Sequence, residues 1–166
     1  GIALDIEQAF NTVRWEYLWE TLRLFALPES LIRWIQLLYA DPIARVKTGR
    51  HISESYPIAK GTRQGCPLPP ILFALTIEPL ALQLRDIGQE WGTPLSGLTH
   101  VLSLYADDIV VYVRDVTTDI TTLSETLTDF YKASGLRVNL NKSYVFPLRV
   151  SSPRRNVKID DHVLKW

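Results

Sequence analysis

The segment SLYADDIVVYVR, residues 103–114, constrains the fold of this chain more than any other stretch. Val101, Leu102 and Leu104 precede its centre and Ile109, Val110, Val111 and Val113 follow it, all β-branched or aliphatic residues that favour burial in strands. Between them stand two adjacent, mutually repelling carboxylates, Asp107 and Asp108. Two apolar strands joined tightly through ADD read as an antiparallel hairpin with the acids at its tip. Such a pair is tolerated if the tip is wet, and useful if it holds a cation.

The rest of the chain alternates element types. Residues 1–5 read as a short strand ending on Asp5. Trp15, Leu18, Trp19, Leu22 and Phe25 recur at helical spacing until Pro28; residues 29–39 read as a second helix, with Leu31, Ile32, Ile35, Leu38 and Tyr39 on one side. The same spacing assigns the rings of Trp15, Trp19 and Trp34 to the core rather than to stacking on nucleobases. Residues 43–58 alternate as a hairpin around Thr48-Gly49-Arg50. Residues 69–85 form a helix apolar almost all round, hence buried in spite of Pro79, and residues 86–97 read as a polar, Gly-containing loop. An amphipathic helix over 118–134 is closed by Gly135, and 136–148 reads as a final strand pair. This predicts one domain over 1–148, and over 149–166 a linker or the start of a following segment. Arg149, Arg154, Arg155 and Lys158 are the basic cluster in that tail, and read more readily as a solvated linker than as a phosphate track.

The fold class is α+β, because the central strands come as an antiparallel hairpin and not one at a time. Helices should cover one face of the sheet. The other face of the sheet then carries Asp5, at the end of the first strand, and Asp107 and Asp108 at the hairpin tip, three carboxylates that cannot all ionise together unless something cationic neutralises them. Hard oxygen ligands on rigid strands suit Mg²⁺, which keeps open positions for phosphate. Phosphoryl-transfer chemistry follows as the expectation.

Composition sets the remaining bounds. With 166 residues, 46% of them hydrophobic, the chain can bury a core, and no stretch is apolar for long enough to span a membrane. Formal net charge is zero, so any nucleic-acid binding must use local basic clusters. Cys66 stands alone, which excludes an internal disulfide and a Cys-rich zinc site. No signal peptide is legible, and the absence of methionine suggests a chain cut from a longer reading frame.

LDIEQAF (4–10), KGTRQGCPLPPILFALTIEPLA (60–81), LYADD (104–108) and SGLRVNLNKS (134–143) together resemble, in order and interval, the palm motifs of reverse transcriptases, nearest those of non-LTR (LINE-type) retrotransposons. The resemblance implies a right-hand polymerase palm, with an antiparallel sheet and helices on one face, performing RNA-directed DNA synthesis. On this resemblance Asp5, Asp107 and Asp108 hold two Mg²⁺ ions, with Mn²⁺ as the substitute, and the Ile6 carbonyl is a further ligand. Phe10 lies under the incoming sugar as a gate against ribonucleotides; the ordinary alternative is a core aromatic. Arg63, Gln64 and Gly65, with Tyr105 and Ala106, sit on the nucleotide and template side, and Lys142 protonates the departing pyrophosphate. The implied partners are an RNA template, a DNA primer, deoxynucleoside triphosphates and the rest of a polyprotein with fingers, thumb and endonuclease. The implied location is intracellular, nuclear for an active element and otherwise cytoplasmic. Asn11, Gln8 and Pro69 depart from the usual acid, Lys and Ser, without removing a metal ligand. Two competitors stay open: a decayed or co-opted copy serving as a non-catalytic nucleic-acid-binding or structural module, and a two-metal cyclase-type palm, which leaves RQG unexplained.

Overall fold

The structure, a computed structural model, describes residues 1–62, 67–95, 97–148, 157–159 and 162–164. Its first half contains β1 (Ile2–Asp5), α1 (Ala9–Thr12), α2 (Trp15–Leu24), α3 (Glu29–Leu38), β2 (Ile43–Ala44), β3 (Lys47–Thr48), β4 (His51–Ile52), β5 (Tyr56–Pro57) and α4 (Leu68–Trp91). Then follow β6 (Thr93–Leu95), β7 (Leu98–His100), β8 (Leu102–Tyr105), β9 (Asp108–Val111), α5 (Val116–Ser134), β10 (Tyr144–Val145), β11 (Val157–Ile159) and β12 (His162–Leu164). The principal sheet has the order β10-β1-β9-β8, antiparallel at every step. This is the α+β class expected from the hairpin.

Period-2 burial explains the layer. Ile2, Leu4, Ile109 and Val111 are buried, while Ala3, Asp5, Asp108 and Val110 lie on the other face and are at least partly exposed. The buried face packs on Leu72, Phe73, Ile77, Leu80 and Leu84 of α4 and on α2 and α5, each such side chain contributing about 1.5–3 kcal/mol relative to exposure. Gly135, with φ 81, ends α5 in the left-handed conformation, and a Cβ there would meet the Thr12 carbonyl at 2.7 Å.

Four expectations are corrected. The described part of 86–97 is not a loop: α4 runs on to Trp91, and β6 and β7 pair behind it. Gly88 permits this, since a Cβ on it would lie 2.1 Å from Val101 Cγ1; the missing side chain lets the helix approach the strand segment. Residues 136–148 do not pair with each other. Val138 bridges Ile6 and β10 pairs with β1, so both halves lie along one edge of β1, interrupted by a turn. The described part of 149–166 is not a bare linker, because β11 and β12 pair and bury Ile159 and Leu164 in the core beside α5. Finally, Trp34 is 70% exposed, and Leu31 and Leu38 are exposed too. A ten-residue helix laid on one layer buries a narrow stripe, here Ile32 and Ile35, and Trp34 stands beside it rather than in it. Trp15 and Trp19 do pack inward, edge-on to Tyr39.

Candidate active site

Sheet register brings the first strand to the hairpin. Asp5 is directly opposite Asp108 across the β1–β9 ladder, and Tyr105 is opposite Asp108 across β8–β9. Directly opposed residues project from the same face. Asp5, Asp108 and Tyr105 therefore share the face turned away from the core, and Asp107 sits beside them in the two-residue turn. Ala106 opens that turn with φ 53, the positive value that tight hairpin turns need and that a non-glycine residue adopts at a cost.

The turn 139–142 grips Asp5 from the other side. The Asn139 amide donates to the Asp5 carbonyl at 2.7 Å, and the Asp5 amide donates to Ser143 Oγ at 3.2 Å. Ser143 Oγ in turn donates to the Asn139 carbonyl at 2.8 Å. Ser143 is 5% exposed, so this is a buried fastening of a backbone whose side chain faces outward. Sequence reasoning did not assign roles to Ser143 or Asn139. The signal in the sequence is an amide and a small hydroxyl four positions apart, with Lys142 between them, which is ordinary turn chemistry.

The same turn presents Lys142, whose Nζ lies 3.9 Å from Asp5 Oδ2. Asp5, Glu7, Gln8, Thr12, Asn139 and Lys142 line an open cleft of about 430 Å³. Thr12 Oγ1 donates to the Glu7 and Gln8 carbonyls at 3.3 and 3.4 Å, holding the bend in which Gln8 has φ 45. At Ile6 the flanking groups make the bridge to the 138 segment: Glu7 donates to the Arg137 carbonyl, and the Asp5 carbonyl accepts from Asn139. Alternation along an antiparallel strand then turns the Ile6 carbonyl the other way, toward the edge that carries Asp107 and Asp108.

Asp5, Asp107, Asp108 and the Ile6 carbonyl are all hard oxygen donors, a set that fits Mg²⁺. Among the described residues, no three His, Cys, Asp or Glu side chains are near enough to one another to hold an ion. The backbone thus brings the three carboxylates to one sheet end without closing their side chains into a three-membered group, and Asp5 faces the Lys142 ammonium. Phe10 is half-buried, its ring 4.6 Å from that of Phe73 at 35°, so it is in packing contact with α4. Arg63, Gln64 and Gly65 lie outside the described residues, as do Arg149, Arg154 and Arg155.

A family model described as Reverse transcriptase (RNA-dependent DNA polymerase) matches residues 1–156. The chain belongs to the reverse transcriptase family. This reverse transcriptase segment is 31% identical over 142 residues to the Transposon TX1 uncharacterized 149 kDa protein of Xenopus laevis, covering 86% of this chain and 11% of that protein. It is 28% identical over 146 residues to the Retrovirus-related Pol polyprotein from type-2 retrotransposable element R2DM of Drosophila melanogaster, covering 88% of this chain and 13% of that one. A Pol polyprotein from a type-1 retrotransposable element R2 of Popillia japonica is 25% identical over 142 residues, or 85% of this chain and 23% of that protein. These relatives are non-LTR retrotransposon proteins, so the reverse transcriptase is of the LINE type. The chain spans no more than 13% of the length of the first two. No helix among the described residues is long and apolar enough to cross a membrane.

Proposed function

We propose that residues 1–148 are the palm of an RNA-directed DNA polymerase that adds deoxynucleotides to a primer 3′-hydroxyl by two-metal nucleotidyl transfer. The observation that carries this reading is the Asp5–Asp108 register with Asp107 adjacent, in a chain of the reverse transcriptase family. Asp5, Asp107, Asp108 and the Ile6 carbonyl would hold the ions. Bound there, two Mg²⁺ ions would supply activation of the hydroxyl and neutralisation of the α-phosphate and departing pyrophosphate. Lys142 stands beside Asp5, in reach of the same cleft, and serves as the proton donor to the leaving group. Phe10 is the sugar gate, and Arg63, Gln64, Gly65, Tyr105 and Ala106 contact nucleotide and template. Fingers, thumb and endonuclease come from the rest of a longer polyprotein, which acts on chromosomal DNA in the nucleus; the palm by itself is not competent.

The test is Mg²⁺-dependent primer extension on an RNA template by the intact polypeptide that carries this segment. Asp107→Asn should reduce nucleotide addition by several orders of magnitude, since several kcal/mol of transition-state stabilisation depend on ion placement. Primer–template affinity should stay within a few-fold, because it rests on phosphate contacts. Extension by the variant at the unmodified rate would refute the assignment. A parent that never extends a primer would favour the decayed, non-catalytic copy.

A further inference from the structure

Between α3 and α4 the chain leaves the body as a narrow ribbon. β2 pairs with β5 and β3 with β4, and the Val46 and Ser53 backbones join the two ladders, so residues 43–58 form one arm that turns at Gly49. At about 3.3 Å per residue the arm is roughly 20 Å long. Residues 45–57 are exposed throughout. Arm and root carry four cations, Arg45, Lys47, Arg50 and Lys60, against one carboxylate, Glu54, in a chain of zero formal net charge. None of the four is in an ion pair among the described residues. Two-stranded ribbons are marginal in water on their own, and this one also exposes Ile43, Val46, Ile52 and Tyr56.

A second feature sits at the root of the arm. Trp15, Tyr39, Tyr56, Ile58 and Lys60 line a cleft of about 330 Å³, within the lower range for small-molecule sites, about 300–1,000 Å³. The Trp15 indole is held by donation to the Gly61 carbonyl at 2.8 Å and meets Tyr39 edge-on at 5.6 Å. Tyr56, 47% exposed, comes from the arm itself. A cleft walled by rings at the foot of a cationic track matches the two demands of an unpaired nucleic-acid strand: phosphates to neutralise and base faces to stack. A duplex has no free base to offer the cleft. Gly61 and Thr62 also line it and lead directly to Arg63 and Gln64.

We propose that the 43–60 arm and its aromatic cleft bind the unpaired template strand, with phosphates along Arg45, Lys47, Arg50 and Lys60 and a nucleobase against Tyr56. This rests on the polymerase reading above and adds the partner and path of one strand. The experiment titrates the intact polypeptide against a fluorescent single-stranded RNA oligonucleotide, and against the same sequence as a duplex, over a range of KCl concentrations. Replacing Arg45, Lys47 and Arg50 together by Ala should flatten the slope of log affinity against log salt by about 2 for the single strand, at about 0.7 per phosphate contact. The charge-keeping set Arg45→Lys, Lys47→Arg and Arg50→Lys should retain the slope. Tyr56→Ala should weaken single-strand binding about ten-fold, and Tyr56→Phe should restore it. An unchanged slope in the Ala set overturns the arm, wild-type affinity in Tyr56→Ala overturns the cleft, and equal losses on duplex overturn the single-strand assignment. If the parent extends primers while the arm variants bind normally, this proposal fails alone; a parent that neither extends nor binds removes both readings.

Discussion

Replacing Ser143 by Ala removes the hydroxyl that fastens Asp5, and the consequences can be followed atom by atom. The Asn139 carbonyl keeps the Lys142 and Ser143 amides as donors at 3.1 and 3.0 Å, so it loses little. The Asp5 amide loses Ser143 Oγ, its partner at 3.2 Å. An amide left unsatisfied in a buried position costs about 1–3 kcal/mol. The bond is long and the Asp5 side chain is 34% exposed, which places Ser143→Ala in the lower half, about 1–2 kcal/mol. The Asn139 amide still holds the Asp5 carbonyl at 2.7 Å, so the strand end loosens rather than detaches. Displacing a catalytic group by about 1 Å costs as much as 10²-fold in rate. We expect Ser143→Ala to lower denaturant-unfolding stability by that amount and to slow single-nucleotide incorporation in the intact polypeptide, most severely at limiting Mg²⁺. Ser143→Thr, which keeps the oxygen, should recover the Mg²⁺ dependence. Incorporation at the unmodified rate at limiting Mg²⁺ would refute the positioning role, and lost stability with an unchanged Mg²⁺ profile would reduce Ser143 to a structural residue.

Three further outcomes are expected. Phe10→Val should raise the ratio of ribonucleotide to deoxynucleotide incorporation by about ten-fold, equivalent to about 1.4 kcal/mol, whereas an unchanged ratio with a lowered melting temperature would leave Phe10 as the packing partner of Phe73. Gly88→Ala should destabilise by about 1–3 kcal/mol because its Cβ falls 2.1 Å from Val101 Cγ1, and adding Val101→Ala should restore much of the loss in thermal unfolding. Burial raises the pKa of Asp119 above the usual aspartate value, against the opposing hydrogen bond from the Asp115 amide. Its stabilising contribution is therefore full below the ordinary Asp range and lost as pH rises through the elevated folded value, so Asp119→Asn should gain melting temperature relative to the parent as pH rises through that range.

Sequence pattern by itself determined what is local. The alternation around ADD specified a hairpin, GIALD a strand, the run from Pro69 an interior helix, and Gly135 a helix end; each depends on residues within a few positions of one another. It also placed the family motifs, because those are spacings along the chain. Tertiary structure decided the neighbours. A period of two tells which face of β1 is buried, but not that β9, more than a hundred residues away, lies beside it in the register that sets Asp5 against Asp108. The course of 136–148 along β1, the capture of Asp5 by Ser143, and the burial of Ile159 and Leu164 share this non-local origin. Trp34 shows the converse: its apolarity and spacing suit a core position, yet no layer covers that side of α3 among the described residues, so it stays in solvent. Pattern records what a side chain prefers to contact, whereas the packing of the whole chain decides which surface is there to meet it.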